Sequence, residues 1–322
     1  WNLNIRRCEV PGINTVFGPI HPEQAGISGI FEHISWGLPG WINNSVACKN
    51  LPLIFSKWHK ELVRYKSMGG RTVIVQPGAA IGHQLELFRL LSRATGINIV
   101  LSTGFDSSTS VSANTNADTD YLTELYVTEL AEGIAGTKVR AGALRVDWGR
   151  YETKEEEITL RSAVRAARKT GCTLMVGGAH AVTKLADVLK QENLSPDRVV
   201  VGHCDDATTL NLERDKELCR RGFNVAYDRI GTEPTWSAMP WAISDFVRAD
   251  MVSALIADGF LKQVIVAAGT VAGQGDRGFG THPGVSAAGP LLHFIGKLHS
   301  KRIKDDQINT LLVENPKRVL AF

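Results

Sequence analysis

Short apolar runs rich in β-branched residues alternate with amphipathic stretches from about residue 28 to the end of this chain. The runs are Ser28–Phe31, Thr72–Gln76, Asn98–Ser102, Ala143–Val146, Thr173–Val176, Arg198–Gly202, Asn224–Tyr227 and Gln263–Ala267. Between them lie helical patterns at Asp118–Ala135, Lys154–Thr170, Leu210–Arg221 and Asp245–Gly259. In Lys154–Thr170, Ala163, Val164, Ala166 and Ala167 form one apolar face. Parallel strands need crossover connections, and helices supply them. An alternation of eight strands with helices therefore predicts a closed parallel α/β barrel, the (β/α)8 or TIM barrel. An open doubly wound sheet would want a Gly-x-Gly-x-x-Gly turn after an early strand, and none occurs there. The glycine-rich run Gly273–Gly280 follows the last strand and reads as a flexible loop. With 322 residues and no linker, repeat or low-complexity tract, residues 1–322 are expected to form one barrel domain.

Composition narrows the partners. Net charge is only +3 with no run of five or more like charges, so nucleic acid is not expected. No apolar run reaches the roughly 18 residues of a membrane helix. The stretch Trp1–Arg7 lacks the apolar core of a signal peptide. Five widely spaced cysteines (Cys8, Cys48, Cys172, Cys204, Cys219) without a C-x-x-C read as free thiols in a reducing compartment, so a cytoplasmic location is expected.

Motifs at the ends of the predicted strands bear on chemistry, because that face of a barrel carries the reactive side chains. The stretch from Thr15 through Val16-Phe17-Gly18-Pro19-Ile20 and Gly26-Ile27 to Phe31-Glu32-His33 resembles the opening of the phosphotriesterase family, binuclear metal hydrolases of the amidohydrolase superfamily. Arg140-Ala141-Gly142-Ala143-Leu144-Arg145-Val146 resembles its fourth-strand motif, and Thr170–Gly177 its fifth. Val201-Gly202-His203-Cys204-Asp205-Asp206 resembles its sixth, Tyr227-Asp228-Arg229-Ile230-Gly231 its seventh, and Val313–Leu320 its closing helix. The resemblance covers nearly the whole chain and implies six metal-ligand positions. Two are kept, His33 and His203. The others fall on Phe31, Arg145 (a carboxylated lysine in the family), Gly177 and Gly269 (an aspartate in the family).

These replacements remove two negative charges and add a guanidinium that stays protonated. A cation beside Arg145 would be repelled by several kcal/mol at an effective dielectric of about 20. Two histidines also fall short of the three protein ligands usual for catalytic zinc. No metal and no cofactor are therefore expected, and the two glycines are expected to widen the pocket.

The expected catalytic residues are His203 and His33, which would move protons near neutral pH. Arg145 would stabilise developing negative charge with its two parallel donors, with Asp228 or Asp205 as its protein partner. Asp228, Arg229, Trp36, Trp148, Trp236, Trp241, His180 and Gln76 are the expected substrate contacts. His180 stands three residues beyond Gly177. Glu32 points opposite to its strand neighbours and is expected to be structural. Two loops, Asp106–Thr119 and Gly231–Ile243, are long enough to cover a pocket.

The resulting expectation is a metal-independent enzyme. It would do acid–base chemistry (hydrolysis, dehydration or cyclisation) on a small carbonyl- or carboxylate-bearing molecule. A non-catalytic binding barrel and a lactonase- or esterase-type hydrolase with one residual metal are the alternatives. The partner is a small-molecule substrate, with a homodimer left open.

Overall fold

The structure is a computed structural model that describes residues 11–32, 51–75, 84–105, 117–149, 153–178, 182–234, 242–269 and 286–322. A short antiparallel hairpin, β1 (Ile13–Thr15) and β2 (Gly18–Ile20), precedes the barrel. The barrel strands follow: β3 (Ile27–Glu32), β4 (Gly70–Val75), β5 (Asn98–Thr103), β6 (Ala143–Asp147), β7 (Leu174–Gly177), β8 (Val199–Gly202), β9 (Asn224–Tyr227) and β10 (Val264–Val266). They form one eight-stranded sheet in which neighbours in sequence are neighbours in space and every pairing is parallel. Helices cover its outside, so the chain folds as the expected (β/α)8 barrel.

Side chains alternate across each strand, and this sorts the core into two shells. Phe31, Ile74, Val100, Ala143, Met175, Val200, Ala226, Ile265 and Ala267 fill the bore. Leu144, Val146, Leu174, Val176, Val199, Val201, Val225 and Tyr227 face the helices. Bulky branched residues in the bore make it a packed interior. The bottom is sealed by Ile13, Val319 and Leu320. There the two ends of the described barrel meet: Gly12 N donates to Phe322 O (3.3 Å) and Phe322 N to Gly12 O (3.2 Å). Asn315 in the closing helix donates to Leu261 O and Val264 O at the foot of β10 (2.8 and 2.7 Å).

Helix α4 (Lys154–Thr170) illustrates how the sequence sets an element. The Thr153 hydroxyl accepts from Glu156 N (3.2 Å), three glutamates crowd the positive end, and Arg168 and Lys169 the negative end. Gly171 then takes the left-handed conformation that ends it. The alternation also called for helices after β3, β4 and β7 without assigning their ranges, and these are α1 (Leu51–Ser67), α2 (Leu85–Thr95) and α5 (Val182–Gln191). The predicted Asp118–Ala135 helix is shorter, as α3 (Thr119–Ala131), capped by Asp118. Two further helices of the sheet's outer wall are α6 (Leu212–Arg220) and α7 (Asp245–Ala257).

The described residues just after β8 and β9 are held by a buried ionic clamp. Asp205 Oδ2 accepts from Arg248 Nε (2.8 Å), and Arg248 Nη1 reaches Asp245 Oδ1 (2.8 Å) and Ile243 O (2.6 Å). Asp245 in turn accepts from Gly231 N (3.0 Å). The Arg248 side chain is fully buried, so its removal strands two carboxylates out of water. Removing one partner of a buried pair costs about 3–5 kcal/mol. Arg248→Met is therefore expected to lower unfolding stability by about that amount, read from the urea midpoint at constant slope.

Candidate active site

The mouth of the barrel is built around one carboxylate. Asp228 is fully buried, directly after β9, and its Oδ1 accepts from the backbone N of His203 (3.1 Å) and faces His203 Nδ1 at 3.0 Å. Burial alone would push the Asp228 carboxyl up. The charge His203 carries when protonated, its hydrogen bonds and Arg229 together hold it below its ordinary value. His203 itself follows β8 with φ +58. Such left-handed backbone costs a non-glycine residue about 1–3 kcal/mol and persists where surrounding bonds over-determine it. Here they do. Cys204 N donates to Ala226 O (3.2 Å), Arg214 Nη2 donates to Cys204 O (3.2 Å), and Asp205 is held by Arg248.

Phe31 crosses the bore. Its ring centroid lies 5.7 Å from that of His203, and the Arg145 guanidinium carbon lies 5.9 Å from the same centroid. A β-carbon on Gly202 would sit 2.6 Å from Phe31 Cζ and 2.9 Å from Asp228 Oδ2. Glycine at 202 is what lets the ring and the carboxylate meet.

Arg145 faces inward, between Ala143 and Asp147 on β6, and its side chain is only 7% exposed. It points into the barrel as expected, but its partner differs. Its Nη2 donates to Asp147 Oδ1 (3.2 Å), neither to Asp228 nor to Asp205. Asp228 is taken by His203. Asp205 is taken by Arg248 and by the backbone N of Asp228 and Arg229 (3.1 and 2.9 Å). Residues two apart on a strand share a face, which is why Asp147 meets Arg145. Asp147 thus enters the site as the partner of Arg145, and the two-residue spacing is its signal.

The two glycines do not widen the pocket. A β-carbon at Gly177 would lie 2.1 Å from Asp147 Oδ1, so the Asp147 side chain already fills that space. At Gly269 the backbone has φ +55 and a β-carbon would lie 2.1 Å from the Asp228 carbonyl oxygen. Only glycine fits that approach.

Other expected residues divide. Trp148 is 5% exposed and packs in the outer shell with Val146, so it does not line the mouth. Asp228 serves to hold His203, with no exposed surface for a substrate. Arg229 is partly exposed at the mouth, its Nη2 3.7 Å from Asp206 Oδ2. Glu32 is fully buried, and its charge is felt by Tyr65 of α1, which places it on the outer face as expected. His33, Trp36, Gln76, His180, Trp236 and Trp241 lie outside the described residues, as do most of the two long loops.

The sequence pattern of the phosphotriesterase family matches residues 11–320. The chain belongs to that family. It is 24% identical to N-acetyltaurine hydrolase of Xenopus tropicalis, covering 96% of this chain and 98% of that protein. The phosphotriesterase homology protein of Mycobacterium tuberculosis is likewise 24% identical over the same shares. A triple mutant of organophosphorus hydrolase from Deinococcus radiodurans superposes with a TM-score of 0.86 at 23% identity, covering 98% of this chain and 99% of that one. Among the described residues no helix is long and apolar enough to cross a membrane.

The depressed Asp228 carboxyl has a signed consequence. A carboxylate whose folded value lies below its unfolded value of about 3.9 contributes stability above that pH and loses it as pH falls through the folded value. The stability advantage of the natural protein over Asp228→Asn is therefore expected to persist from pH 8 down to about 5 and to fade below about 4. Urea titrations of both proteins across that range measure it.

Proposed function

We propose that this chain is a hydrolase of a small carbonyl-bearing organic molecule, working by acid–base chemistry without a binuclear metal centre. The observation that carries this reading is the 3.0 Å contact between His203 Nδ1 and the buried Asp228 Oδ1. A carboxylate at Nδ1 selects the tautomer with hydrogen there and leaves the Nε2 lone pair for chemistry. The His203 side chain is 19% exposed at the mouth, so that nitrogen has access to a ligand.

In the proposed reaction Nε2 accepts a proton from water as the water oxygen bonds to the substrate carbonyl carbon. The carbonyl π electrons move to oxygen. When the oxyanion collapses, the bond to the leaving heteroatom breaks and that atom takes the proton from Nε2–H. Asp228 stays ionised throughout and steadies the imidazolium. Arg145 supplies the electrostatic partner for negative charge on the substrate. Relatives named for hydrolysing N-acetyltaurine and organophosphorus compounds support hydrolysis as the reaction class.

Whether the family's metal pair fits can be judged from the side chains present. The bridging-ligand position carries the guanidinium of Arg145. The space at Gly177 is filled by Asp147, and that at Gly269 by a backbone carbonyl. Among the described residues no three His, Cys, Asp or Glu side chains are placed to hold an ion. These groups do not fit a binuclear centre, and no step is routed through one.

Two measurements test the reading together. Elemental analysis after dialysis is expected to give well under one equivalent of zinc, cobalt, manganese or nickel, and two per chain would end the metal-free reading. On a panel of esters, lactones and N-acyl amides, His203→Ala is expected to lower kcat by about 10²–10⁴-fold with the fold retained. Full turnover by that variant would show that another group is the base.

A further inference from the structure

Among the described residues, Arg145 is a group at the mouth whose chemistry the proton-transfer step does not use up. A guanidinium has five N–H donors in two parallel pairs. Here one Nη2 hydrogen meets Asp147, while Nε and Nη1 are buried without a hydrogen-bond partner. Whichever edge Asp147 caps, the other keeps two parallel donors. A buried donor left unmade is costly, more so when charged. The nearest aromatic face, Phe31, attracts the cation but accepts no N–H bond in the plane of the fork.

A transient oxyanion would answer this charge only during the chemical step. A substrate that is anionic throughout answers it as soon as it binds. Building on the hydrolase reading, we infer that Arg145 anchors a standing carboxylate of the substrate. That carboxylate lies in the plane of the guanidinium. The substrate class is then a small carboxylic acid carrying a hydrolysable ester or amide elsewhere. His203 Nε2 serves the scissile carbonyl, and Arg145 holds the opposite end.

The step that tests this needs no turnover. Benzoate and the neutral isostere benzamide are titrated into the full-length protein by calorimetry. Benzoate is expected to bind saturably and benzamide about 10- to 100-fold more weakly, the worth of a charge-assisted pair of hydrogen bonds. His203→Ala is expected to keep benzoate affinity. Arg145→Met is expected to lose it, and Arg145→Lys to recover only part, since a point charge cannot copy the fork. Equal affinity for benzoate and benzamide, or no benzoate binding, overturns the inference on the natural protein alone, whatever the variants do. Unchanged benzoate affinity in folded Arg145→Met overturns it as well. Failure of the hydrolase reading looks different: His203→Ala would retain turnover while benzoate still bound.

Discussion

One oxygen atom, Asp228 Oδ1, holds both the backbone and the ring of His203, and the barrel mouth is arranged to keep that atom in place. The left-handed turn at His203 is unfavourable on its own. It is sustained because the next two residues are gripped from outside the barrel, Cys204 by Arg214 and Asp205 by Arg248. Arg214 is itself braced by Asp215, which also takes the Tyr227 hydroxyl (2.8 Å) one residue before Asp228. Both strands that deliver the dyad, β8 and β9, are thus anchored on their outer faces by buried ion pairs. The inner face is left free for chemistry.

Phe31, Arg145, Gly177 and Gly269 form one packing solution. Phe31 fills the bore between β3 and β8, and Gly202 leaves it room. Arg145 faces the bore, and Asp147 lies in the space over Gly177 and meets it. Gly269 permits the backbone to pass against the Asp228 carbonyl. The charges divide into local pairs: Asp147 with Arg145, Asp228 with His203, Asp205 with Arg248 and Asp206 with Arg229. Of these, Arg145 keeps donors in reserve.

The barrel was legible because its signal is periodic. Asn224–Tyr227 has the same bounds in sequence and structure, and Lys154–Thr170 carries its own start and stop chemistry. Helix α1 was given no range although Ile54, Trp58, Leu62 and Tyr65 recur at helical spacing and are its buried face. Its polar flanks and Pro52 at the start obscured that stripe. The inward aim of Arg145 followed from its place in the motif resembling the family's fourth strand, but its partner did not. Asp205 and Asp228 looked available because sequence reports which residues sit near a strand end. It does not report that a helix forty residues later supplies Arg248 to claim one of them. Trp148 fell to the outer shell by the same alternation that turns Asp147 inward. The space at Gly177 was unreadable from sequence, since an absent side chain does not say which neighbour fills it.

The central claim is that His203 is a carboxylate-oriented base with a free Nε2. Nitrogen-15 NMR of the histidine rings reads this directly, with His203 assigned by its loss in His203→Gln. At a pH where the ring is neutral, the account predicts hydrogen on Nδ1, an unprotonated Nε2, and shifts that do not move on addition of a strong chelator. A neutral ring with hydrogen on Nε2, or a shift at Nε2 that the chelator releases, would contradict it.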